Sequence, residues 1–100
     1  MISEQLNKIE KFSKNNFFDY SRNYKFQGIT SMPYEAFIGY VSSIPKTLFL
    51  IHKNMVFDRN TITDSFYEVW SFDENGNSKK IEVEQLEPNF FKDIQVIKTI

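Results

Sequence analysis

The chain has no cysteine, which excludes disulfides, thiolate metal sites and cysteine nucleophiles. Its three glycines, Gly28, Gly39 and Gly76, stand too far apart to form a phosphate-cradling loop, so nucleotide-dependent chemistry is not expected. Neither sign of charge dominates. A net charge of −1 argues against strong electrostatic binding to nucleic acid or membrane. The longest apolar run, Leu48 to Ile51, falls far short of the roughly 20 residues that span a bilayer. The opening MISEQLNKIEKF carries acids and amides where a secretion signal needs an unbroken apolar stretch, so a cytoplasmic protein is expected.

What the chain does have is aromatic residues. They make up 17% of its 100 residues, with eleven phenylalanines among them, so its core must be built largely from Phe, Ile, Tyr and Val. Being 41% hydrophobic and 25% charged, it fits a globular protein, and its length fits a single domain over 1–100. Residues 1–50 carry six bases and four acids and residues 51–100 six bases and nine acids, a weakly basic half against a more acidic one.

Ser3 can cap a first helix over about residues 3–15, where Leu6, Ile9 and Phe12 form an apolar stripe and Lys8, Lys11 and Lys14 face away. Asn15 and Asn16 suit its end. Phe18, Tyr20, Tyr24 and Phe26 share a parity that predicts a strand, or strand-turn-strand, over 17–28. A second helix is expected from Ser31, with Pro33 in its first turn. Tyr34, Phe37, Ile38, Val41 and Ile44 then recur at helical spacing, and Pro45 ends it. Gly39 would weaken that helix by about 1 kcal/mol relative to alanine. Ala36, Gly39 and Ser43 also form a small-residue strip that would admit a neighbouring backbone.

From Lys46 onward the pattern is β. KTLFLIHK and MVFD flank a tight turn at Lys53-Asn54, RNTITD resembles a loop, and SFYEVWSF and KKIEVEQL alternate. The tail from Ile94 to Ile100 suits a last strand on the sheet edge, although Phe90, Ile94 and Ile97 also fit a helix. The resulting expectation is an α+β fold, two N-terminal helices packed on a four- to five-stranded antiparallel sheet. Its order of elements resembles cystatin-type folds, in which an antiparallel sheet wraps a helix.

SFDENGNSKKIEVE, Ser71 to Glu84, supports two readings. Asp73, Asn75, Asn77 and Glu84 sit where a helix-loop-helix calcium loop carries oxygen ligands. Against that reading, Ser78 replaces the required glycine, Lys79 and Lys80 put positive charge in the loop, and the flanks alternate with period two. The alternative is a β-hairpin with a two-residue turn at Asn75-Gly76. It pairs Phe72 with Lys79, Trp70 with Ile81, and Glu68 with Val83. One face would then carry Phe66, Trp70, Phe72, Ile81 and Val83, and the other Tyr67 beside Glu84, Val69 beside Glu82 and Ser71 beside Lys80. A register one residue away would set Trp70 against Glu82 and spoil both faces. The hairpin is the stronger reading, and neither a metal nor a cofactor is expected.

No catalytic constellation stands out. His52, the lone histidine, ends an apolar run and could reach Asp58 across a hairpin. Glu68 falls on the apolar face between Phe66 and Trp70, so it needs a partner or a shifted pKa. Either residue could serve a small ligand pocket or enzyme. Lys11, Lys14, Tyr20, Arg22, Tyr24 and Lys25 interleave bases and aromatics in a way that suits single-stranded nucleic acid.

The leading expectation is a non-enzymatic protein-binding module. Small inhibitors, immunity proteins and phage or mobile-element anti-defence proteins, which occlude a partner's surface, are of this kind. Asp73, Glu74, Glu82, Glu84 and Glu87 gather on or near one hairpin, with Tyr67 and Trp70 close by in sequence. Such an acidic, aromatic surface would dock on a basic protein surface. Exposed edge strands would also support a homodimer.

Overall fold

A computed structural model of the chain describes residues 2–23, 29–59 and 61–100. Helix α1 (Ile2–Asn23) is followed by strands β1 (Ile29–Tyr40), β2 (Leu48–Asp58), β3 (Thr61–Phe72) and β4 (Ser78–Ile81). A 3-10 turn (Val83–Gln85), a helical turn α2 (Phe90–Asp93) and strand β5 (Gln95–Thr99) complete the chain. The strands form one antiparallel sheet in the order β4-β3-β2-β1-β5. The fold is thus α+β, with one long helix where two were expected. The tail does form an edge strand, beside β1.

Helix α1 carries the expected stripe. Ile9 is buried, Leu6 and Phe12 pack on the same core, and Lys8, Lys11 and Lys14 are exposed. The helix does not stop at Asn15-Asn16 but continues to Asn23, so residues 17–23 are helical and not a strand. Asparagine in a helix is only a few tenths of a kcal/mol worse than most residues. In the sequence, Phe17 and Tyr20 continue the helical spacing of Ile9 and Ser13. The rest of the expected 17–28 strand, residues 24–28, lies outside the described residues.

The second helix is strand β1. Residues 36–39 are all buried, with Ile38 among the residues facing α1 and Phe37 on the opposite side of the sheet. A strand covered on both faces reads as an apolar run without alternation, and such a run also fits helical spacing. Pro33 sits at an irregularity in the β1–β2 register, a position where a strand tolerates proline. Likewise Lys53-Asn54 is not a turn. Strand β2 runs straight through it, and the chain reverses at Arg59, whose φ is 50°. Asp58 therefore lies six residues along the same strand from His52, about 20 Å away. It cannot assist that imidazole.

The sheet has two apolar faces. On one, Ile9 of α1 packs against Ile38, Leu48, Leu50, Trp70 and Phe72. On the other, Phe37, Phe49, Ile51 and Val69 are covered by Phe90, with Val83, Leu86 and Ile94 around them. The connection from β4 to β5 therefore closes the second face, which the hairpin pattern assigned to polar residues.

The β3–β4 hairpin forms, but one residue out of the expected register. Phe72 pairs with Ser78, Trp70 with Lys80 and Val69 with Ile81. The turn explains the slip. Gly76 N–H donates to the Asp73 carbonyl, Gly76 has a φ of +85°, and Asp73 N–H closes the loop on the Asn77 carbonyl. That is a three-residue loop with a glycine bulge rather than a two-residue turn. Asp73 Oδ1 fixes it by accepting the N–H groups of Asn75 and Asn77 at 2.9 Å each. A methyl group at Gly76 would meet nothing closer than Lys8 at 3.7 Å, so only the backbone conformation resists substitution there. Gly76→Ala is expected to lower stability by about 1 kcal/mol in urea unfolding, and Gly76→Asn by less, because asparagine tolerates the left-handed region.

Candidate functional site

The slipped register puts Lys80 rather than Ile81 opposite Trp70, on the α1 face. There its ammonium lies 3.0 Å from Glu68 Oε2 and 5.8 Å from the centre of the Trp70 ring. Glu68 Oε1 accepts a 3.1 Å hydrogen bond from Asn54 Nδ2. Glu68 is only 8% exposed, so burial demands such partners, and cross-strand neighbours on β2 and β4 supply them. Asn54 Oδ1 is buried without a hydrogen-bond partner among the described residues. Beside this pair, Ser13 Oγ and His52 Nε2 are 2.8 Å apart, and the imidazole meets the Trp70 ring edge-on at 4.8 Å. Burial pushes the His52 pKa down from 6.5 to about 4, so the ring is neutral at pH 7.

A serine at that distance from a neutral imidazole has the geometry of a nucleophile and its base. Both side chains are sealed, however, with Ser13 at 0% and His52 at 1% exposure. While α1 rests on the sheet, no substrate carbonyl can approach Oγ. The pair ties helix to sheet.

An accessible concavity lies nearby, where β4 ends and the 3-10 turn begins. It encloses about 420 Å³ and is lined by Phe66, Tyr67, Glu68, Ile81, Glu82 and Glu84, among others. Tyr67 stands on the face opposite α1, with its ring 4.5 Å from that of Phe91 and Lys53 Nζ 5.7 Å from its centre. Glu82 and Glu84 are exposed. Of the six residues expected to meet a partner, the fold thus gathers three, Tyr67, Glu82 and Glu84.

The other three lie elsewhere. Asp73 is committed to the hairpin turn, where hydrogen bonds from Asn77 and Asn75 hold its carboxyl below the usual range. Glu74, at the tip of the same turn, lines a different concavity of about 590 Å³ with Gln5, Tyr40, Ile44 and Ile97. Glu87 is exposed on the connection before α2, where its carbonyl accepts the Phe90 N–H.

Of the basic-aromatic set, Lys11 and Lys14 are exposed on α1, Tyr20 and Arg22 fall within the same helix, and Tyr24 and Lys25 lie outside the described residues. Sequence reasoning missed Ser13, Asn54, Lys80 and Phe91. An asparagine inside a run of β-formers is the available signal for Asn54, but beside Lys53 it fits a tight turn equally well. Among the described residues, no three His, Asp or Glu side chains are grouped to hold a metal ion, and no helix is long and apolar enough to cross a membrane. No family model, curated protein or solved structure matches the chain.

Proposed function

We propose that this protein is a non-enzymatic protein-binding module that works by covering a basic surface of its partner, as small inhibitors and immunity-type proteins do. The observation that carries this reading is the meeting of Tyr67, Glu82 and Glu84 around one concavity with apolar walls from Phe66 and Ile81. An aromatic ring gives contact area at little entropic cost, and the two exposed carboxylates would steer a cationic partner and fix its register. Lys80 is engaged by Glu68, and among the described residues no ion pair reaches Glu82 or Glu84.

The test begins with cross-linked capture of the partner from the native host, followed by association kinetics with the purified pair. The double variant Glu82→Lys/Glu84→Lys is expected to associate more slowly by roughly tenfold or more at low salt, with the difference shrinking as salt rises. Glu74→Lys, outside the concavity, should change the rate far less. Equal rates for the wild type and the double variant, with the fold intact by circular dichroism, would remove this surface from consideration.

A further inference from the structure

Strand β3 has twelve residues and β4 only four, so β4 covers β3 from Val69 to Phe72 alone. Beyond Ile81 the chain turns off the sheet into the 3-10 turn. Along β3 from Asp64 to Glu68 the inner side is paired with β2, while no described strand lies on the outer side. The register irregularity opposite Val56 and Phe57, which skips Thr63, bounds this stretch at its far end. Sheet edges are commonly protected by charged residues, above all lysine, by proline or by a bulge within them. Asp64-Ser65-Phe66-Tyr67-Glu68 lies inward of the irregularity and holds neither lysine nor proline; its charges are acidic, Glu68 pointing inward and Asp64 accepting the Ser65 N–H at 2.8 Å. It opens directly onto the concavity that Phe66, Tyr67 and Glu68 help to line.

Charge decides between occupants. Lys80 neutralises Glu68, and Lys53, 5.7 Å from the centre of the Tyr67 ring, is paired with Glu35 at 3.6 Å, which leaves Asp64, Glu82 and Glu84 around this edge. A second copy pairing through the same edge would bring those acids face to face with their equivalents, an arrangement that opposes pairing. A cationic strand meets the opposite situation.

We propose that a basic, extended segment of a partner protein adds to the sheet along β3 between Asp64 and Glu68, in line with β4, and seats a lysine or arginine side chain in the adjoining concavity. This rests on the reading of the acidic face as the docking surface, and it adds the mode of docking. Main-chain hydrogen bonds would supply affinity, and the side chains pointing to alternate faces would supply selectivity.

The experiment uses the full chain and two peptide libraries of about nine residues, the length of an ordinary strand with its flanks. One library has lysine at alternate positions and the other glutamate, with the intervening positions randomised. The lysine library is expected to yield binders that slow amide hydrogen exchange from Asp64 to Glu68. Methylating alternate backbone nitrogens of a selected peptide, in the register that faces β3, should weaken it about tenfold or more by removing main-chain donors.

If lysine peptides bind and Glu82→Lys/Glu84→Lys abolishes binding, but exchange at 64–68 is unchanged and methylation is tolerated, strand addition is wrong and the acidic docking face stands. Protection along β5 instead would place the docking edge on the opposite side of the sheet and overturn the proposal. If no lysine peptide exceeds the glutamate control, strand addition and the acidic face fail together.

Discussion

Gly39→Ala is expected to destabilise the protein by about 2 kcal/mol, the middle of the range for overpacking a close contact. A Cβ at Gly39 would lie 2.6 Å from the Gln95 carbonyl oxygen and 2.9 Å from Ile94 Cγ1. The Ile94 side chain can rotate away. The carbonyl belongs to the backbone of β5, which pairs with β1 at Gly39 and Tyr40, so relief requires the edge strand to move. Faster amide exchange along Gln95–Thr99 should accompany the loss, with the rest of the sheet less affected. The sign matters more than the size. Were residues 31–44 helical, removing a mid-helix glycine would stabilise the protein by about 1 kcal/mol. Urea unfolding of this one variant separates the two architectures, and a gain in stability would refute β1.

The same residue shows what the sequence could and could not reveal. Ala36, Gly39 and Ser43 announced a close backbone approach, and at Gly39 that approach occurs, but to a strand rather than beside a helix. The apolar face of α1 was legible because one side of that helix meets water, so its period is visible at Leu6, Ile9 and Phe12. Strand β1 is covered on both sides, and burial on both sides erases the alternation that would have revealed it. That second cover comes from Phe90, Leu86 and Ile94, which follow β1 by about fifty residues; no local window contains them.

The candidate site was half legible for a related reason. Glu68 stood out as a carboxylate in an apolar pattern that needs a partner, and a lysine meets that need most simply. Which lysine depended on the hairpin register, and the register depended on one side chain. Asp73 captures the N–H groups of both Asn75 and Asn77, which selects the three-residue loop over the two-residue turn. A slip of one residue exchanges the faces of β4. It moves Ile81 to the second core beside Val69 and delivers Lys80 to Glu68. The slip that the sequence pattern rules out runs the other way and sets Glu82 against Trp70, whereas the observed slip sets Lys80 there. The observed slip is tolerated because Lys80 has a carboxylate within reach, lies over the indole ring and keeps part of its side chain in water.

The buried histidine makes the fold sensitive to acid in a definite window. His52 has a folded-state pKa of about 4 against an ordinary value of 6.5, because burial disfavours the imidazolium. The unfolded chain therefore takes up a proton first as pH falls, and stability declines between the two values. At 1.36 kcal/mol per unit of pKa difference, the loss is about 2 kcal/mol from pH 7 to pH 5 and about 3 kcal/mol by pH 4. The depressed carboxyls leave the part of this window above about pH 5 clear. Asp73 and Glu10 have ordinary values of 3.8 and 4.5 and are lowered from them, so their contributions persist above those values and fade as pH falls further. Urea unfolding at steps from pH 7 to pH 4.5 should show the decline in the wild type and little of it in His52→Gln, whatever that variant's stability at pH 7. A parallel decline in both would show that another group carries the acid response. Because Ser13 of α1 caps the imidazole at 2.8 Å, protonation should also loosen the helix before the sheet. Amide exchange at pH 5 should then rise first around Ile9 to Ser13, while the β2–β3 ladder stays protected until global unfolding.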